Sequence, residues 1–234
     1  MSSMTFWDVL AKLLVAAVCG GVVGIERGRK NRPAGFRTYI LVCMGAALTM
    51  ILGQYLSVME SVWRGVVAGA NFPNTDISRF GAQVINGIGF LGAGTIIVTS
   101  RQQVKGMTTA AGLWASACMG LAIGAGFYVG ALTCCAFILL AMVFFTRLES
   151  FVIAHSKNIN LYVEFEDMDD LSNIVEKIRS KNVRIFDVEI TKAKYSETKY
   201  PNAIFSLRLP KKMTHSALVT LIASVETVRT IEEL

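Results

Sequence analysis

Apolar residues in this chain come in long blocks as far as residue 146, and in short alternating runs beyond it. The blocks fall near 8–25, 38–59, 80–99, 107–124 and 126–146. Each approaches the ~20 residues a helix needs to cross a hydrocarbon core, so about five transmembrane helices are predicted. Only Gly124-Ala125-Gly126 separates the last two, which predicts a tight hairpin, with re-entrant or slightly shifted segments as the alternative. The first block has no basic leader or cleavage site before it and reads as a retained span.

Beyond residue 156 the period changes. Asn160–Glu166 alternates as a strand, and Asp169–Ser180 carries Leu171, Ile174, Val175 and Ile178 at helical spacing. Val183–Thr191 and Ala203–Leu209 read as two further strands. Thr214 is the expected N-cap of a second helix ending near Ser224, and Glu226–Ile231 closes as a strand. The order βαββαβ is that of a split βαβ, ferredoxin-like domain. The predicted fold is an α-helical membrane bundle over 1–148 followed by an α+β domain over 156–234.

Small and polar residues inside the blocks refine this picture. Ala16, Gly20, Gly24 and Gly28 recur every fourth residue in the first block, as do Gly112, Ser116, Gly120 and Gly124 in the fourth. Such stripes let helix backbones approach closely, and they are expected to pack against each other or across a dimer. In the third block Asp76, Arg79, Gln83 and Asn86 lie along one helical face. Amides in hydrocarbon need partners. Two readings fit them equally: hydrogen bonds that fix the bundle, or a solvated pocket or ion path. Gly87, Gly89, Gly92 and Gly94 follow and predict a kink or break in that helix. Gly87 to Gly92 also has G-x-G-x-x-G spacing, but it lies within a membrane block, where the motif does not bind a nucleotide.

Composition supports the membrane class: 53% of the 234 residues are hydrophobic and the mean hydropathy is +0.50. All five cysteines (Cys19, Cys43, Cys118, Cys134 and Cys135) fall in apolar blocks, which argues against a disulfide framework or a zinc site. The net charge of +6 is accounted for by membrane orientation and not by nucleic acid. Arg27, Arg29, Lys30, Arg32 and Arg37 flank the first loop, Arg101 and Lys105 the third, and Arg147 follows the fifth block. The positive-inside rule then puts these loops and the C-terminal domain in the cytoplasm and the N-terminus outside. Trp7 and Trp63 suit an outer interfacial belt, whereas Trp114 lies within the fourth block and is expected to pack.

Glu26, Arg27, Arg37 and Thr38 flank the first loop, and Lys105, Thr108 and Thr109 the third. Pro33-Ala34-Gly35 is a turn signal that would return Arg37 to Glu26. An ion pair between them is the economical account of an acid on this side, and a cation or phosphate site the sharper one. His155 and His215 lie far in sequence from any acidic pair, so no enzyme is expected.

Three segments, GIERGRKNRPAGFRTYILVCMGAAL, DISRFGAQVINGIGFLGAGTI and VKGMTTAAGLWASACMGLAIG, together resemble the MgtC/SapB family of bacterial membrane proteins over residues 10–146. The tail is similar to the ACT-like domain of the MgtC branch. Gly28 and Tyr39 depart from the family, standing where many members have Gln and His. The resemblance implies a multi-pass protein of the bacterial inner membrane, linked to growth in low magnesium and to virulence. It implies a non-enzymatic regulator of membrane energetics working through partners such as a membrane ATPase, with an ion channel or transporter as the alternative. By motif it marks Glu26, Arg27, Arg37, Thr38, Asp76, Arg79, Gln83, Asn86, Thr108, Thr109 and Trp114. The tail has Glu166-Asp167-Met168-Asp169-Asp170 where ligand-binding ACT domains have a glycine turn. Those acids would cap a helix, or hold a divalent cation such as Mg2+ weakly; no other cofactor is expected. Homodimerisation or partner contact is the expected role of the tail.

Overall fold

The computed structural model describes residues 5–30, 32–66, 76–99, 103–154, 156–191, 200–210 and 213–234. Arg101 and His155 fall outside the described residues. The chain divides into two compact units, Met1–Ile97 with Val104–Leu148 and Val98–Gln103 with Glu149–Leu234.

In the first unit, α1 (Phe6–Arg29), α2 (Phe36–Val66), α3 (Ile77–Ala93), α4 (Met107–Ala125) and α5 (Tyr128–Leu140) follow one another. Two short paired strands, β1 (Ile97–Val98) and β2 (Val104–Lys105), join α3 to α4. A π-helical turn at Ala141–Phe145 carries α5 into α6 (Thr146–Ala154). Four stretches are long and apolar enough to cross a membrane: Phe6–Arg29, Phe36–Val66, Met107–Ala125 and Tyr128–Ile153.

The third expected span, 80–99, is corrected. Its helix starts earlier and stops at Ala93, 17 residues in all, or about 26 Å at 1.5 Å per residue. Nor does it break at its glycines. The helix is continuous through Gly87 and Gly89, which face open space. Glycine permits a break, but here no neighbour presses on these positions to enforce one. The helix ends where the Gly94 N–H donates to the Phe90 carbonyl at 3.0 Å and the Thr95 hydroxyl donates to the Gly92 carbonyl at 2.8 Å.

At Gly20, Gly24, Gly120 and Gly124 the two small-residue stripes meet α2 most closely. A Cβ on Gly20 would stand 2.6 Å from the Tyr39 carbonyl oxygen, and one on Gly24 2.7 Å from the Phe36 Cα. On α4, Gly120 and Gly124 lie so close to the Cys43 and Ala47 carbonyl oxygens that neither has room for a side chain. A Cβ on Gly28 would meet nothing within 4 Å, so the close approach ends before that residue. Thus α2 is the central helix, its backbone approached from both sides through missing side chains. The core is accordingly rich in small residues, among them Ala16, Cys19, Cys43, Ala46, Ala47 and Ala117.

Lysines and turns tie the helix ends. Lys12 Nζ donates to the Gly124 carbonyl at 2.9 Å and to Gln54 Oε1 at 3.2 Å, joining α1, α2 and the C-terminal turn of α4. A cation there meets the carbonyl end of the helix dipole. The predicted α4–α5 hairpin is present. Gly126 takes φ +87°, its N–H donates to Ile123 and that of Phe127 to Ala122, which is a Schellman closure.

The second unit holds β3 (Asn158–Phe165), α7 (Asp170–Ser180), β4 (Arg184–Thr191), β5 (Asn202–Arg208), α8 (His215–Ala223) and β6 (Val228–Glu233). The sheet is antiparallel in the order β4-β5-β3-β6. Alternate residues of β3 (Ile159, Leu161, Val163, Phe165) and of β5 and its end (Ala203, Phe205, Leu207, Leu209) are buried. Ile174 and Ile178 of α7 and Leu218 and Ile222 of α8, each pair one helical turn apart, complete the same core. Thr214 caps α8 as predicted, its side chain accepting from the Ala217 N–H.

Candidate functional site

The polar stripe of α3 points away from the core. Asp76 is the N-cap, its carboxylate accepting from the Ser78 N–H at 3.0 Å and the Ser78 hydroxyl at 2.5 Å. The Ser78 hydroxyl and backbone, with Arg79 nearby, hold the Asp76 carboxyl below the usual carboxylate range. The side chains of Arg79, Gln83 and Asn86 are exposed and make no hydrogen bond or ion pair among the described residues, whereas Ile88 and Gly92 on the opposite face are buried. Within the described residues of this chain the amides thus make no interhelical bond. Arg79 and Gln83 instead edge an open groove of about 430 Å³ between α2 and α3, with Thr49, Phe80 and Val84. Asn86 lies outside that lining.

At the other end of the bundle the expected cluster separates. Glu26 pairs with Lys30 at 2.9 Å, one turn along α1, and not with Arg37. Neighbours four apart on a helix meet without any loop closure, and Lys30 is held there by a second bond, from Nζ to the Met142 carbonyl at 2.7 Å. Arg37, Thr38, Lys105 and Thr108 are exposed. Thr38 and Gly94 border a cavity of about 220 Å³ with Thr95 and Leu113. Trp114, expected to pack, is 50% exposed; it stands on the face of α4 opposite its buried Gly112–Ser116 side.

Only Arg27 and Thr109 of that cluster come together. Both are buried, at 5% and 1% exposure, and Arg27 Nη2 donates to Thr109 Oγ1 at 2.5 Å. Among the described residues, Arg27 Nε, the Tyr39 hydroxyl and Ser116 Oγ make no hydrogen bond of good geometry, although the guanidinium lies beside the Tyr39 hydroxyl and Ser116 beside the Cys43 thiol. The Tyr39 hydroxyl lies against the Cα side of Gly112, which has no space for a side chain. Thr109, Gly112 and Ser116 share one face of α4, so the four polar groups form a seam through the packed bundle. A buried guanidinium without a carboxylate is costly, and this seam offers hydroxyls only. Sequence reasoning named Arg27 and Thr109 but missed Tyr39 and Ser116. The available signal was spacing: Ser116 stands seven residues, two turns, after Thr109.

In the second unit the acidic turn is engaged internally. Glu166 pairs with Arg229, whose guanidinium also lies 5.9 Å from the Tyr200 ring centre. Asp170 Oδ2 accepts from the Asp167 N–H at 3.1 Å, and Asp167 Oδ1 from the Met168 N–H at 2.7 Å. Among the described residues no three His, Cys, Asp or Glu side chains gather as a metal site. His215 presents Nδ1 to Glu233 Oε1 at 2.7 Å and Nε2 to the Ser156 carbonyl at 2.9 Å. Both partners are acceptors, so only the protonated ring donates to both. The Ser156 carbonyl, and then Glu233, raise its pKa above the usual histidine value.

Residues 13–151 match the MgtC family. The chain is 31% identical over 191 residues to protein SapB of Bacillus subtilis (strain 168), covering 78% of this chain and 77% of that one. It is 39% identical over 121 residues to a protein of Escherichia coli (strain K12) named putative magnesium transporter YhiD, covering 52% and 53%. To protein MgtC of Brucella abortus (strain 2308) it is 40% identical over 124 residues, covering 51% and 45%. The matched segment thus spans about half the length of the latter two relatives. No solved structure matches the chain.

Proposed function

The chain belongs to the MgtC family of bacterial membrane proteins, and from there we propose that it is a non-enzymatic regulator acting through contacts with other membrane proteins in magnesium limitation. The observation that carries this reading is the outward polar face of α3. Arg79, Gln83 and Asn86 are exposed and, among the described residues, make no side-chain hydrogen bond or ion pair on this 17-residue helix. In a bilayer such amides need a hydrogen-bonding neighbour from outside the chain. In this reading α3 is the third of five spans, tilted little and flanked by Asp76 and Thr95 at its ends. The basic first loop stands on the cytoplasmic side of the inner membrane, with the N-terminus outside. The tail is an ACT-like, ferredoxin-like domain in the cytoplasm. A homodimer, or a partner such as a membrane ATPase, covers the stripe, and the protein needs no cofactor.

The second reading is a cation transporter. It is favoured by the name of the Escherichia coli relative and by the groove that Arg79 and Gln83 share with Thr49. Liposome flux separates the two. The purified protein is expected to pass Mg2+, Na+ and protons no faster than empty vesicles; magnesium flux above that background would rule out the regulator. In cells, the Gln83→Leu/Asn86→Leu double variant should insert normally yet lose growth in low magnesium.

A further inference from the structure

The second unit contains a cationic pocket that the membrane reading does not use. It has a volume of about 250 Å³ and is lined by Lys157, Asn182, Arg184, Arg208, Leu209 and Pro210. The topology builds it. Arg184 opens β4 and Arg208 closes β5, and the two are direct partners across that antiparallel pair. Arg208 is also paired with Asn158 of β3, and the Leu209 N–H donates to the Lys157 carbonyl at 2.7 Å. Three strands therefore bring three cations to one end of the sheet.

Like charges directly opposite each other on a sheet destabilise it. Neither Arg184 nor Arg208 is relieved by a carboxylate, nor is Lys157, since none makes an ion pair among the described residues. The remaining remedy is an anion. Two guanidinium forks beside an ammonium match the oxygens of a phosphate group, which accepts paired, charge-assisted hydrogen bonds. The volume lies below the ~300–1,000 Å³ of pockets for drug-sized ligands, which selects a single phosphate group and not a nucleotide. We propose that Lys157, Arg184 and Arg208 form a phosphate-binding site. This inference is independent of the regulator reading. The phosphate has two sources, the free anion or the headgroup of an anionic phospholipid.

Full-length protein in phosphate-free maltoside detergent tests it in two arms, one titrated with inorganic phosphate and the other with phosphatidylglycerol in the micelle. Saturable binding is expected in at least one arm, and the responding arm identifies the source. Arg184→Gln/Arg208→Gln should weaken that binding roughly tenfold or more. Lys177→Gln/Arg179→Gln removes the same charge outside the pocket lining and should leave it unchanged. The pocket variant should also melt at or above the wild-type temperature, and lose the rise in melting temperature that phosphate or lipid gives the wild type. No saturable binding in either arm, or equal weakening by both double variants, would overturn the proposal.

Discussion

The helical unit and the sheet unit bury their residues by different rules. In the sheet unit, the fully buried large side chains come from alternate residues of β3 and β5, such as Phe165 and Phe205, and from the inner faces of α7 and α8, such as Ile174 and Leu218. Water supplies the sorting. In the helical unit, Leu14, Leu41, Phe90 and Val129 are exposed at 56%, 69%, 84% and 76%, while Gly20, Gly24, Gly120 and Gly124 are buried. Lipid is as apolar as leucine, so size and backbone approach decide what packs there. Hydrophobicity predicts which segments enter the membrane and says little about which face meets a neighbour.

The largest effect should come from the sheet unit. Phe205→Ala removes a side chain that is fully buried and should cost ~3–5 kcal/mol, seen as early loss of strand signal in thermal denaturation. In the helical unit the comparable change is an addition. Gly120→Leu drives a side chain into the Cys43 carbonyl and should cost ~3 kcal/mol, measured by thermal inactivation in detergent. Leu132→Ala, at a site 55% exposed, should leave the same measurement unchanged. A smaller effect is expected in the buried seam. Thr109→Val removes the acceptor of Arg27 and should cost ~1–3 kcal/mol, and adding Arg27→Met should recover most of that loss. The smallest concerns pH. The His215 pKa is raised on folding, so its contribution is complete below the unfolded value near ~6.5 and fades as pH rises through the folded one. The sheet unit should melt at a lower temperature at pH 8 than at pH 5.5, and His215→Gln should flatten that dependence.

The tail was legible almost residue by residue, because strand period, helix spacing and the Thr214 cap all act locally. The helical segments were legible too, though not all of their ends: α2 runs to Val66, seven residues past the expected 59, helix continues beyond 146 to Ala154, and α3 stops at Ala93 where the apolar run continues to Thr99. Contacts between helices were not. Glu26 takes Lys30 on its own helix, and both glycine stripes choose α2. Those choices depend on which helix is central, and no spacing within one segment encodes that. The α3 stripe shows the same limit. Its amides were identified, but a 3.6-residue period cannot tell an inward face from an outward one when both are flanked by apolar residues.

The π-helical turn at Ala141–Phe145 sets a length constraint on the chain. It accommodates one more residue than an α-helix of equal rise, which shifts the angular phase of the residues directly after it by about 100°. Deleting a single residue in that turn after Met142 would restore a regular ladder and change the angular phase of the residues that follow, while leaving the Met142 carbonyl on Lys30. Substitutions should be tolerated there far better than a deletion, because the angular phase depends on the number of residues and not on their identity.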